Sequence, residues 1–304
     1  MLKRDEKSQE IVLVGSTGFV GLEVANLLAK KQIRLLLPSK RELDITNSHS
    51  IKQYFLNKRP KVLINLAAFT NIEEAEKQRG KRKALIWKIN VEGPKKLARL
   101  CKEFQLFFVH ISTDSVFPGT EEYPGPYKEN DKPPLDLESL SWYSYTKLIG
   151  ERKVINSGSK YAIIRISYPF GNVKSQKDFM VKTIKYIKSG TSFFSDQIFT
   201  PTYIPDLAES IAAIVTLRKK GIFHVTCTSL TSPYKFALYL GKKLGLENKI
   251  FKQKLSNYFN KSNSFKRSKY GGLLNKFTQR SLNIKFFSWR KAIEDNLNHE
   301  KLYL

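Results

Sequence analysis

The chain has 304 residues, 41% hydrophobic and 26% charged, enough apolar content to bury a sizeable core as one elaborated domain or two modest ones. Two cysteines, Cys101 and Cys227, exclude a disulfide framework, and no apolar run reaches the length of a membrane span, so a cytoplasmic protein is expected. The net charge of +26 admits an anionic partner, but lysine is spread along the whole chain and no helix-turn-helix, zinc-finger or RNA-binding aromatic pattern accompanies it; neither nucleic acid nor a membrane is expected.

After MLKRDEKSQE, which lacks the apolar stretch of a secretory signal, EIVLVG (10–15) reads as a buried strand and FVGLEVANLLAKK (19–31) as a helix. IRLLL (33–37) is a second strand, residues 48–58 a polar helix, and KVLINLAA (61–68) a third strand. Helical stretches through 71–104, broken near Gly93-Pro94, lead to the strand LFFVHIS (106–112). A loop rich in Pro and Gly (118–135) precedes a helix around SWYSYTKLIGE, and the strand YAIIRIS (161–167) follows it. Strands separated by helix-length segments imply right-handed crossovers and a parallel sheet covered on both faces, the doubly wound α/β (Rossmann) fold. Beyond Ser167 the rhythm loosens. Helices near 176–188 and 206–218, the strand GIFHVT and the helix PYKFALYLGKKLG are readable, whereas 249–285 is basic, rich in Ser and Asn, and resists assignment. The expected plan is a nucleotide-binding domain, 1–167 plus about 200–228, and a smaller α/β substrate domain from about 168–199 and 229–304.

Gly15-Ser-Thr-Gly18-Phe-Val-Gly21 falls where the first strand ends and the first helix begins. Glycines there permit a tight turn, close approach of a pyrophosphate and close helix–strand packing, and the helix N-terminus offers free N–H groups. At the end of the second strand an acidic residue binds the ribose hydroxyls of NAD, whereas a basic one favours the phosphate of NADP. LLLPSKRELDI presents Lys40 and Arg41, with Glu42 and Asp44 later; the expectation is NADPH, with NADH the alternative and Asp44-Ile45 against the adenine.

On a helix, residues four apart share a face, so Tyr143 can meet Lys147 above a common ligand and Tyr145 cannot. An ammonium beside a phenol favours its ionised form, which makes Tyr143 a candidate acid or base. The same spacing recurs in Tyr54–Lys58 and Tyr239–Lys243. Only Tyr143–Lys147 follows a strand ending in a hydroxyl residue, Thr113, at the carboxyl edge where a doubly wound sheet binds ligands. His49, His110, His224 and His299 are scattered without ligand spacing, so no metal is expected, and His110 reads as a core residue.

These residues resemble the extended short-chain dehydrogenases/reductases, and more narrowly the dTDP-4-dehydrorhamnose reductase family. The resemblance is carried by RELDITN, VLINLAAFTNIEEAE, INVEGPKKLA, VHISTDSVFPGT, PYKENDKPPL, YSYTKLIGE, SDQIFTPTYIPDLAESI and GIFHVT, in family order from residue 11 to about 226. It implies Tyr143 as proton donor, Lys147 lowering its pKa and binding the nicotinamide ribose, and Thr113 positioning the sugar carbonyl, with Asp114 and Ser115 beside the substrate. Gly15, Thr17, Gly18, Phe19, Val20, Gly21, Ala67, Ala68 and Thr70 would line the cofactor, and Asn90 would support the site. The implied reaction is NADPH-dependent reduction of the 4-keto group of a nucleotide-linked deoxysugar.

Three departures lie on the substrate side. Ser115 stands where the family usually has an aromatic residue, Tyr168 where it often has Trp, and Arg267-Ser268 where it has Arg-Pro. Between Asn248 and Ile293 there are twelve Lys/Arg and no Asp/Glu. The expectation is a basic wall for the substrate diphosphate, with Arg267 its strongest candidate, against a merely solvated lysine-rich surface. The alternatives in play are a nucleotide-sugar epimerase or dehydratase, and a non-catalytic regulatory subunit of the same fold. The partners expected are a nucleotide-sugar substrate and at most a second copy of the chain in a homodimer.

Overall fold

The backbone hydrogen bonds of six short, largely apolar runs are satisfied by one another in a single parallel sheet of order β2-β1-β3-β4-β5-β7. The computed structural model describes residues 10–58, 60–255 and 267–299. The strands are β1 (Ile11–Val14), β2 (Leu35–Leu36), β3 (Val62–Asn65), β4 (Phe107–Thr113), β5 (Lys160–Ile166) and β7 (Gly221–His224). β1, β3 and β4 are buried along their whole length, as strands covered on both faces must be. The chain first steps outward from β1 to β2, then returns to build β3 on the other side of β1. That reversal opens a crevice at the carboxyl ends of β1 and β3.

Two apolar layers cover the sheet. On one face α1 (Phe19–Lys30) and α8 (Ile204–Leu217) pack against alternate residues of β4, Phe107, Val109 and Ile111. On the other face α2 (Ser48–Asn57) and α5 (Gly93–Glu103) cover Phe108, Leu63 and Val12. The expected helical run at 71–104 is more broken than its pattern implied. It comprises α3 (Ile72–Glu76), α4 (Leu85–Trp87), a π-helical turn at Lys88–Glu92, and α5, whose first turn holds Pro94. A π turn inside a helix often marks a functional site, and this one carries Asn90.

The second core is built from later segments: α7 (Phe179–Lys188), α9 (Pro233–Leu244) and the helix Trp289–His299 enclose Phe170, Met180, Phe236 and Trp289. A small parallel pair, β6 (Phe193–Phe194) with β8 (Lys252–Gln253), lies beside it. The two cores interleave along the chain, because Leu282 and Phe286 return to the core of the large sheet. The segment 269–274 runs alongside the loop after β4. Lys269 N–H donates to Gly119, Gly125 N–H to Tyr270, and Tyr127 N–H to Gly272 at 2.7–3.0 Å. Residues 256–266 of the basic segment lie outside the described residues. Among the described residues no helix is long and apolar enough to cross a membrane.

Candidate active site

The glycine loop is shaped by close approaches that only glycine tolerates. Gly15 has φ +84°, and a Cβ there would stand 2.5 Å from the Ala67 nitrogen. A Cβ at Gly21 would fall 2.1 Å from the Gly15 oxygen, so this glycine lets α1 close down on the loop. Gly18 caps α1 without any side-chain acceptor, leaving first-turn N–H groups at the carboxyl end of β1. Ser16 is buried, Thr17 and Gly18 are exposed, and Phe19 and Val20 pack partly against the sheet core. Ala67, Ala68 and Phe69 continue β3 along the same crevice, and Thr70 is exposed.

The loop beyond β2 separates its charges. Glu42 folds back to accept the Ser39 N–H at 2.8 Å, and Asp44 accepts both the N–H and the hydroxyl of Thr46 at 2.8 Å. Ile45 is buried against Gly93, so its side chain belongs to the core. Lys40 and Arg41 extend from the same loop and are exposed. With its two carboxylates engaged locally, the loop presents positive charge, which suits a phosphorylated ribose better than a bare one.

Thr113 is the last residue of β4, and Tyr143 and Lys147 lie one turn apart on α6 (Trp142–Ile155), which packs against β4. Ser141 starts this helix, its hydroxyl accepting the Ser144 N–H at 3.1 Å. The Thr113 hydroxyl lies near enough to the Tyr143 phenol to favour its ionised form, while its own hydrogen bonds run to Asp114 and Ser115. Tyr145 points elsewhere and stacks on Trp142, ring centroids 5.4 Å apart, as the helical spacing predicts. Lys147 is 2% exposed, and its Nζ donates to the Ile111 carbonyl at 2.8 Å. Burial brings its pKa down to about 8, Glu151 one turn further on pulling the other way.

The structure corrects one expectation. The Tyr143 phenol is pushed up to about 12 rather than lowered, first by burial and also by the Asp114 carboxylate; the nearby Thr113 hydroxyl offsets only part of this. Lys147 Nζ is turned to the Ile111 carbonyl, and no lowering by its charge accompanies the shift of the phenol. Asn90 clamps the crevice from the side. Its Oδ1 accepts the Phe69 N–H at 2.8 Å, and its Nδ2 donates to the Phe69 carbonyl at 3.0 Å and to the Thr146 hydroxyl at 3.2 Å.

Asp114 follows Thr113 and faces the later segments. Its Oδ2 accepts the Ser167 hydroxyl at 2.6 Å, and Thr113 Oγ1 lies 3.2 Å from its Oδ1. Burial raises the Asp114 carboxyl to about 6. Ser115 turns its hydroxyl to Thr113 Oγ1 at 2.9 Å. Tyr168 holds the strained φ of +42° and packs on Phe179 and Phe199. Gln197 Nε2 donates to the Ser268 carbonyl at 2.9 Å and reaches the Tyr168 hydroxyl at 3.4 Å. Arg267 is exposed with its guanidinium 5.9 Å from the Phe194 ring, and its charge is felt at Tyr168. Thr113, Tyr143, Asp114, Ser115 and Tyr168 thus share one neighbourhood, and Arg267 stands at its edge.

Sequence reasoning missed the residues that hold α6 in place. Glu76 accepts the Trp142 N–H, and Arg79 grips Glu76 through two nitrogens while donating to the Leu140 carbonyl at 3.0 Å. Further along, Arg165 on β5 is 1% exposed and holds Glu151 bidentately at 3.1 and 2.8 Å. The Arg165 guanidinium also stands 4.9 Å over the Phe117 ring and 3.4 Å from His224 Nε2. Apart from Arg79 and Glu76, which are three residues apart, these partners are 14 to 66 residues away in sequence, and the available signal was only that an arginine sits within a buried strand. His110 is a neutral core residue, stacked on Phe108 and 3.2 Å from Asn65 Nδ2.

The model for the RmlD substrate binding domain matches residues 9–302. A spore coat polysaccharide biosynthesis protein, SpsK, of Bacillus subtilis (strain 168) is 29% identical over 95% of this chain and 96% of its own length. A dTDP-4-dehydrorhamnose reductase of Aggregatibacter actinomycetemcomitans is 30% identical over 75% of this chain and 76% of its own. Among solved structures, a dTDP-4-dehydrorhamnose reductase from Bacillus anthracis str. Ames, crystallised in complex with NADP, superposes with a TM-score of 0.84 at 26% identity. That match covers 96% of this chain and 100% of the other.

Proposed function

The chain belongs to the family of the RmlD substrate binding domain, and from that membership we propose that it is an NADPH-dependent reductase converting dTDP-4-dehydrorhamnose to dTDP-rhamnose, a precursor of cell-surface polysaccharide. The observation that carries the reading is that α6, with Tyr143 and Lys147, packs on the carboxyl end of β4 where Thr113 ends the strand, beside a glycine loop that admits no Cβ at Gly15 or Gly21. Bound NADPH supplies the hydride that reduces the sugar carbonyl carbon. Gly15, Gly18 and the uncapped start of α1 hold the pyrophosphate, Lys40 and Arg41 the ribose phosphate, and Lys147 the nicotinamide ribose hydroxyls. Ala67, Ala68, Thr70 and Asn90 line or support the same crevice.

Thr113 holds the carbonyl oxygen by a hydrogen bond, and Tyr143 gives that oxygen its proton. Asn90 and Glu76 keep the two sides of the crevice in register by tying the end of β3 and α3 to α6. We assign the cofactor to residues 1–167 with about 200–228, and the sugar nucleotide to about 168–199 and 229–304. The separate core around Phe170 and Trp289 supports that division, although Leu282 and Phe286 return to the core of the large sheet. Arg267 contributes to the diphosphate site, its planar fork matching phosphate oxygens. Cys101 and Cys227 are free and buried, which fits a reducing cytoplasm.

The test is to supply dTDP-4-dehydrorhamnose with NADPH and follow the absorbance of the reduced nicotinamide. Its fall, with dTDP-rhamnose as product, is the expected result. A protein that binds NADPH but never oxidises it would return the fold to a non-catalytic role.

A further inference from the structure

Gln197 follows β6 by three residues and is 3% exposed, so its amide is a buried polar group that must find partners. It finds them in two segments far from it in sequence. Its Nε2 donates to the Ser268 carbonyl at 2.9 Å and reaches the Tyr168 hydroxyl at a longer 3.4 Å. The neighbouring backbone extends the first contact. Ile198 N–H donates to the Lys269 carbonyl at 2.8 Å, and Gly271 N–H donates to the Ile198 carbonyl at 3.0 Å. From the other side, the Gly119 carbonyl accepts the Lys269 and Tyr270 N–H groups at 3.0 and 2.9 Å. Gly119 has φ +61°, and a Cβ there would overlap Ser268 Oγ, so the segment lies directly on bare backbone.

Arg267 is the residue just before this clamped stretch. An exposed arginine gives up rotamer freedom when it grips an anion, and a backbone already fixed leaves less to be ordered. Its guanidinium stands 5.9 Å from the ring of Phe194, on the strand that leads to Gln197. Tyr168, the other partner of the amide, is packed between Phe179 and Phe199, with ring centroids 5.0 and 4.5 Å away. Burial is the first cause of its raised pKa, the Asp114 carboxylate adds to it and the Arg267 charge opposes. The phenol therefore lies within reach of the carboxylate beside Thr113 and of the arginine.

From this clamp we propose that Gln197 is the positioning residue of the diphosphate site, holding the backbone at Ser268 so that Arg267 meets the phosphates in register with Thr113 and Tyr143. The inference rests on the assignment of Arg267 to the substrate diphosphate above. Gln197 acts through Arg267 and takes no part in hydride or proton transfer. Its loss leaves the arginine in the chain but no longer set in place, so recognition of phosphate suffers and the chemical step does not.

The experiment measures the affinity of the full chain, with NADPH bound, for dTDP and for thymidine, which carries no phosphate. Arg267→Ala should weaken dTDP by about tenfold and leave thymidine within about twofold. Gln197→Met keeps the length of the side chain without the amide. It should weaken dTDP by about threefold to tenfold, again sparing thymidine. The double variant should bind dTDP no more weakly than Arg267→Ala alone, because one residue acts through the other. In steady state, Gln197→Met should raise KM for the sugar nucleotide by the same factor, with kcat within about twofold of wild type. Tyr168→Phe removes one atom and the longer contact, and should weaken dTDP by about twofold. Wild-type dTDP affinity in either Gln197→Met or Tyr168→Phe overturns the proposal. So do equal losses for thymidine and dTDP, or losses that add in the double variant. An Arg267→Ala chain with wild-type dTDP affinity overturns the assignment of Arg267 instead. A wild type that binds no dTDP overturns the nucleotide-sugar reading.

Discussion

Helices α6 and α9 carry the same Tyr-x-x-x-Lys spacing and put it to opposite ends. On α9 the Tyr239 hydroxyl donates to Glu294 at 2.6 Å, and Lys243 meets the same carboxylate at 2.7 Å with 42% of its side chain exposed. Glu294 raises the pKa of both Tyr239 and Lys243, and each group holds its ordinary charge state in a closed surface triangle. On α6 the lysine is buried, its ammonium donates to a backbone carbonyl with no carboxylate paired to it among the described residues, and its pKa falls to about 8. The tyrosine there faces a threonine and a carboxylate, not a neutralising partner. Helical periodicity delivers the pair; the surroundings decide whether it is a surface fastening or a site held away from its resting chemistry.

The comparison breaks most visibly at the lysines. Lys147→Met should lower kcat by roughly two to four orders of magnitude, the range for a positioned acid–base group, whereas Lys243→Met should leave kcat unchanged. Comparable losses in steady-state assays would mean that burial does not set the two pairs apart.

Next in size is the ion pair behind α6. Arg165→Met leaves Glu151 charged and buried without its partner, a loss of about 3–5 kcal/mol read as a fall in urea midpoint. Breaking the exposed Lys243–Glu294 pair should barely move it.

Buried carboxylates sharpen the contrast through pH. Burial raises Asp206 to about 7, the Asp295 and Glu209 charges adding to it and the Phe287 N–H opposing. A folded-state pKa above the unfolded value of 3.8 means stability fully present below that value and lost as pH rises through about 7. Asp206→Asn should therefore raise Tm clearly at pH 8 and less at pH 5. An equal effect at both pH values would place the titration elsewhere.

The smallest of these effects concerns the cofactor loop. Alanine at Lys40 and Arg41 should weaken NADPH by about tenfold and NADH little, because exposed charges contribute only through the extra phosphate. Equal weakening of the two in fluorescence titrations would assign the loop another role.

Much of this was legible in the chain because it is local. Gly15, Gly18 and Gly21 declare a strand-to-helix turn by their own steric demands, and Tyr143 and Lys147 share a face by helical geometry alone. The large sheet followed from largely apolar runs of the right length, with boundaries shifted by only a few residues. What stayed hidden depends on distant partners. Nothing near Asp114 announces Ser167, fifty-three positions on, or tells that Glu76 will cap the helix holding Tyr143 sixty-six positions later. The direction of the Tyr143 shift was misjudged for the same reason: adjacency to Lys147 is a local fact, whereas burial and the Ile111 carbonyl that claims the ammonium are products of the fold. The fragmentation at 77–92 has two sources, a turn through Gly80 at φ +76° before α4 and a π turn at Lys88–Glu92 after it.

The central claim is that proton donation belongs to the buried pair on α6 and to Tyr143 in particular. Its most direct test sets Tyr143→Phe beside Tyr239→Phe, which share the chemical change, in one single-turnover assay with dTDP-4-dehydrorhamnose and NADPH. The account predicts a loss of about two to four orders of magnitude for Tyr143→Phe with NADPH affinity preserved, and a wild-type rate for Tyr239→Phe. A Tyr143→Phe enzyme that still turns over near the wild-type rate would contradict it.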